Sequence, residues 1–99
     1  YVTSLHNDDY IQVKSVDFKD GAKRINISAA SKQGGLVEIR LDKQDGVLLG
    51  TCEIKNTGDW TNWKTFSTKV KRVKGVHDLY FVFKGKEGEL FNIDFWDFN

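Results

Sequence analysis

Ninety-nine residues carry 15 Lys and Arg against 14 Asp and Glu, a formal charge of +1, which gives no strong pull toward nucleic acid or an anionic membrane. At 39% apolar and 29% charged residues the composition is that of one folded domain, taken as residues 1–99. No apolar run approaches the roughly 20 residues of a spanning helix. A single cysteine, Cys52, excludes an internal disulfide, so packing, hydrogen bonds or a metal must hold the fold.

The opening YVTSLHNDDY has no basic start followed by an apolar stretch, so no leader is read in it. Residues 10–18 alternate Ile11 and Val13 with Gln12 and Lys14, then shift phase at Val16 and Phe18, which predicts a strand with a bulge. Residues 24–29 put Ile25 and Ile27 on one face, and residues 36–41 do the same with Val37, Ile39 and Leu41. Further strands are expected over 47–54, 63–73, 78–83 and 90–98, all rich in β-branched and aromatic residues. Glycines and Asn/Asp residues stand between the runs, and no sustained 3.6-residue period marks a helix. Seven short strands at this spacing predict an all-β sandwich or barrel.

Several residues invite a function and have a plainer reading beside it. The basic segment 69–74 (KVKRVK) alternates Lys69, Lys71 and Val73 against Val70, Arg72 and Lys74. A solvated edge strand explains it better than a nucleic-acid site, which would need more cations and stacking rings. Cys52 reads as a small apolar side chain in a strand, since a nucleophile needs a histidine base and an orienting partner. The pairs Asp8-Asp9 and Asp94/Asp97 raise carboxylate hydrolysis, but so short a chain rarely forms the deep cleft this chemistry uses. No enzyme is expected. Trp60, in a turn after Gly58 and Asp59, is equally a ligand platform or a cap on a sandwich. Trp63 and Trp96 lie within strands and read as packing. Asn92, between Phe91 and Ile93, serves either a strand-end hydrogen bond or a ligand.

Five ordered blocks narrow the choice: NDDYI at 7–11 with VDF at 16–18, GGLVEIRLD at 34–42, NTGDWTNW at 56–63, GVHDLYFVF at 75–83 and LFNIDF at 90–95. In this order and spacing, over residues 7–98, they resemble the family 6 carbohydrate-binding modules appended to bacterial xylan- and arabinan-degrading enzymes of glycoside hydrolase family 43. The resemblance implies a jelly-roll β-sandwich and non-catalytic binding of plant-type polysaccharide in a cleft of loops at one end. By the same resemblance Trp60 is one ring of that cleft and Asn92 the amide beneath the sugar. Tyr1, the single upstream aromatic, is the candidate for the second ring. Tyr10 matches an aromatic lining a second cleft on the concave sheet face. Asp59 and Asp8 stand where the family usually has glycine, and Asp59 is expected to add a hydrogen bond to sugar hydroxyls.

The constellation makes physical sense unaided. A pyranose has apolar C–H faces and a hydroxyl rim, which suit a flat indole and an amide that both donates and accepts.

Family members also open with a strand of alternating glutamates that help ligate a structural calcium. Residues 1–5 supply no such ligands, and Asp94 alone matches that site, whereas calcium takes six to eight oxygens. A chain lacking that strand is expected to leave a sheet edge unpaired. The implied partners are a polysaccharide or oligosaccharide and the catalytic domain of a linked glycoside hydrolase, with neither nucleic acid nor membrane. The implied location is extracellular, periplasmic or at a bacterial cell surface. The alternative is an accessory domain of a glycoside hydrolase that has lost sugar binding.

Overall fold

The alternating runs become eight antiparallel strands: β1 (Val2–Leu5), β2 (Tyr10–Asp17), β3 (Arg24–Ser31), β4 (Gly35–Leu41), β5 (Val47–Ile54), β6 (Asp59–Lys69), β7 (Val76–Lys84) and β8 (Phe91–Phe98). The computed structural model describes residues 2–19, 21–86, 88 and 90–99, the first three of them by backbone alone. Strands pair as a rolled-up hairpin does: β4 with β5, β3 with β6, β2 with β7 and β1 with β8. Two more pairings, β3 with β8 and β4 with β7, complete sheets ordered β1-β8-β3-β6 and β2-β7-β4-β5. This is the jelly-roll connectivity of a β-sandwich.

Inward residues at period two fill the space between the sheets. Ile25 and Ile27 of β3, Val37 and Ile39 of β4, Leu79, Phe81 and Phe83 of β7, and Phe91 of β8 are buried almost completely. Rings continue the packing edge to face, Phe83 on Phe91 at 5.5 Å and Phe81 on Trp96 at 5.0 Å between centroids. Cys52 lies fully buried in this core, and desolvation pushes its thiol up from 9.0 to about 11, which suits the apolar reading and not a nucleophile.

The expected phase shift in β2 is a bulge between Val13 and Val16, where Ser15 takes φ 56° and donates its N–H to Asp78 Oδ1 at 3.0 Å. Three expectations need correction. A strand precedes Tyr10: β1 pairs with β8 and is the outer strand of its sheet. Its apolar residues, Val2 and Leu5, are three apart and pair with Ile93 and Phe91, two apart, so the irregular register conceals the strand from a period-two search. Strand β6 begins at Asp59 rather than Trp63, and it ends at Lys69, before most of the basic segment. Beyond it Val70 and Val73 both pack against the core, a spacing of three, while Lys71, Arg72 and Lys74 stay exposed.

This connectivity puts the β1–β2, β3–β4, β5–β6 and β7–β8 loops at one end. Hydrogen bonds join them there: Gly85 N–H to Asn7 Oδ1, Ser31 N–H to Thr57 Oγ1, and Ser31 Oγ–H to Leu90 O.

Candidate functional site

Trp60 stands on this end because β3 and β6 fall out of step. Ser31 pairs with Asp59 and Ala29 with Lys64, so β3 advances two residues while β6 advances five. The surplus bulges out of the sheet edge and carries Trp60 with it. Side chains then fix the bulge. Asn56 Oδ1 accepts Gly58 N–H at 2.7 Å, and Gly58 takes φ 89°, a left-handed turn that glycine adopts without strain. Asp59 Oδ1 accepts Thr61 N–H at 3.2 Å, and Asn62 Nδ2 donates to Thr57 O at 2.6 Å. Trp60 is left partly buried.

Asn92 reaches the same place from β8. It pairs with Ala30 and is only 7% exposed, and its Nδ2 donates to the Trp60 carbonyl at 2.9 Å. The structure therefore brings Trp60 and Asn92 together, and the hydrogen bond it shows for the Asn92 amide is the plain, strand-end one. Its amide nitrogen fastens the backbone of the platform. Asp59 lies exposed beside Trp60, but one of its carboxylate oxygens caps the turn at Thr61. Tyr1, the expected second ring, lies outside the described residues.

Tyr10 belongs to another surface. It is 50% exposed on the outer face of β2, with its ring 5.8 Å from that of Tyr80 on β7. Across the same face a concavity of about 470 Å³ is lined by Glu38, Arg40, Gln44, Asp45, Val82 and Lys84. Arg40 is already held there, by Glu38 Oε1 at 3.1 Å and by the Gly46 carbonyl at 2.9 Å. Lys84 is paired with Asp8, whose φ of 71° explains why glycine suits that position. Of the other acidic candidates, Asp97 Oδ1 accepts from the Asn26 amide at 2.8 Å.

Asp94 is exposed, the extra residue of a bulge between the pairs Ala29–Ile93 and Ser28–Phe95. Among the described residues no group of three or more His, Cys, Asp or Glu side chains gathers to hold a metal ion.

Sequence reasoning missed Ser31 and Thr57, both buried, which join three of the four loops at this end. The threonine two residues before Asp59 was visible in the NTGDW block, but its partner lies 26 residues away.

Comparison with known proteins agrees with this architecture. The chain matches the profile of carbohydrate binding module (family 6) over residues 1–99. It is 43% identical over 100 residues to an arabinoxylan arabinofuranohydrolase of Bacillus subtilis (strain 168), covering 99% of this chain and 20% of that protein. The chain thus spans about a fifth of the length of this curated relative. Among solved structures, a glycoside hydrolase family 43 arabinoxylan arabinofuranohydrolase from Bacillus subtilis in complex with cellotetraose superposes with a TM-score of 0.94 at 42% identity, covering 98% of this chain and 20% of that one. A family 6 carbohydrate-binding module from Clostridium cellulolyticum in complex with xylose gives 0.93 at 43% identity, covering 96% of this chain and 74% of that one. With the sandwich, the loop end and these matches together, the chain belongs to the family 6 carbohydrate-binding modules, a non-catalytic family of carbohydrate-binding domains.

Proposed function

We propose that this module binds a plant-type polysaccharide of the xylan, arabinoxylan or β-glucan class on the Trp60 platform and thereby holds a linked glycoside hydrolase on its cell-wall substrate. One observation carries the reading: a partly buried indole stands on a stiffened bulge at the loop end, with the Asn92 amide fastened to its backbone. The indole face takes the apolar face of a pyranose, and the surrounding polar groups meet the hydroxyl rim. The names of the relatives support the glycan class, one being an arabinoxylan arabinofuranohydrolase and two solved structures carrying cellotetraose and xylose.

Sugar hydroxyls leave water as they bind, so gains and losses nearly cancel. Affinity is expected between micromolar and millimolar, about −4 to −8 kcal/mol. Tethering converts this weak grip into a high local enzyme concentration at an insoluble surface. Such polymers lie outside the cell, so the proposed location is extracellular, periplasmic or at the cell surface.

Affinity electrophoresis and calorimetry with xylan, arabinoxylan, cello-oligosaccharides and β-glucan test the reading. Wild type is retained on at least one of these and Trp60→Ala is not. A second reading is an accessory domain that packs on its hydrolase and has lost sugar binding. It draws on the amide nitrogen of Asn92, which is engaged with the protein itself. Equal weak retention of wild type and Trp60→Ala on every glycan would select this second reading.

A further inference from the structure

The two carbonyls that flank the Trp60 α-carbon are both taken by side chains. Ahead of it, Thr57 Oγ1 lies 3.0 Å from the Asp59 carbonyl. Behind it, Asn92 Nδ2 donates to the Trp60 carbonyl at 2.9 Å. Thr57 has one hydroxyl proton and two acceptors in reach; the Asp59 carbonyl is the nearer, and the Ser31 carbonyl at 3.2 Å also receives Thr57 N–H at 2.8 Å. The hydroxyl oxygen also accepts, since Ser31 N–H donates to Oγ1 at 3.0 Å. Both clamping residues are 7% exposed, so neither bond is readily replaced by bulk water.

We propose that Thr57 and Asn92 form a two-point clamp on the peptide groups either side of Trp60, making buried Thr57 a positioning residue for the sugar platform. The inference rests on the reading of Trp60 as that platform. Holding both carbonyls fixes the backbone torsions of Trp60 and hence the direction in which its Cβ carries the indole. A free backbone would divide its time among orientations, and apparent affinity falls by the fraction of time spent in the binding-competent one. Ser31 supports the clamp from below. Its hydroxyl donates to the Leu90 carbonyl and accepts Gly34 N–H at 2.7 Å, which ties the β3–β4 and β7–β8 loops to the base of the Trp60 loop.

The test compares wild type, Thr57→Val, Thr57→Ser and Trp60→Ala. Affinity is measured by calorimetry with xylotetraose and cellotetraose, well below each protein's melting temperature. Mobility in the free state is read from the ¹⁵N–¹H NOE of the Trp60 indole, assigned by its absence from Trp60→Ala. Thr57→Val keeps the shape and loses the hydroxyl. It is expected to weaken binding about three- to tenfold, the population shift that one lost hydrogen bond allows. The Trp60 indole NOE falls with it, while those of Trp63 and Trp96 hold. Thr57→Ser restores both readouts, which a purely volumetric role would not do.

Wild-type affinity in Thr57→Val, or weaker binding with an unchanged Trp60 NOE, overturns the clamp. Wild-type affinity in Trp60→Ala instead overturns the platform reading, and the NOE comparison still decides whether the clamp exists. If Thr57→Val does not fold, Asn62→Ala carries the same readouts, because the exposed Asn62 holds the Thr57 carbonyl at 2.6 Å. The expected loss is then about two- to threefold with a lowered NOE, and no change in either overturns the proposal.

Discussion

Trp60 and Trp96 place the same indole on the two strands that flank β3, and the molecule holds them by opposite means. Trp96 is gripped by its ring, edge to face with Phe81 at 5.0 Å and with Phe98 at 5.6 Å. Trp60 is gripped by its backbone, through Thr57 and Asn92. Both tryptophans are partly buried, but Trp96 packs against the core cluster and Trp60 stands outside it. In this sandwich the core is a matter of apolar packing, and the loop end is a matter of satisfied backbone polar groups.

Breaking the core side should cost the most. Trp96→Ala is expected to lose about 3–4 kcal/mol of stability in urea denaturation, because its neighbours cannot collapse fully into the space. Folded molecules of that variant should bind sugar with affinity close to wild type. Trp60→Ala reverses the pattern. Oligosaccharide binding measured by calorimetry should fall about 30- to 100-fold, or about 2–2.7 kcal/mol, while stability shifts by less than about 1 kcal/mol.

The core should also show itself through pH. Burial raises the Cys52 thiol from 9.0 to about 11, so between these values the unfolded chain ionises first and folding loses ground. Stability should be unaffected by this group below about pH 9 and should decline by about 1.4 kcal/mol per unit up to about pH 11. Denaturation curves of Cys52→Ala should lack that component of the slope. The smallest effect is expected from Tyr10→Ala. Its ring lies on the outer face of the other sheet, so affinity for short oligosaccharides should change less than about twofold. A loss as large as that of Trp60→Ala would move the principal platform to that face.

Much of the fold is legible in period-two alternation, because one side of each strand must enter the core. Ile25 and Ile27, or Val37, Ile39 and Leu41, declare their faces without further help. Strand β1 escaped because a bulge separates Val2 and Leu5 by three, and segment 69–74 misled because its valines pack inward off the end of a strand. Trp60 was legible as an aromatic in a glycine turn and through the resemblance carried by its block. The residues that hold it were not. Thr57 meets Ser31 across 26 positions, and Asn92 meets Trp60 across 32. Hydroxyls and amides have no periodicity that announces a distant carbonyl, so these partners emerge only once the bulge in β6 is built.

The most direct measurement is a ¹⁵N–¹H correlation spectrum of the tryptophan indoles during titration with xylotetraose and cellotetraose. If Trp60 is the platform, its cross-peak moves saturably with at least one of them while the Trp96 cross-peak stays in place. A Trp60 cross-peak that never moves while binding proceeds would contradict it.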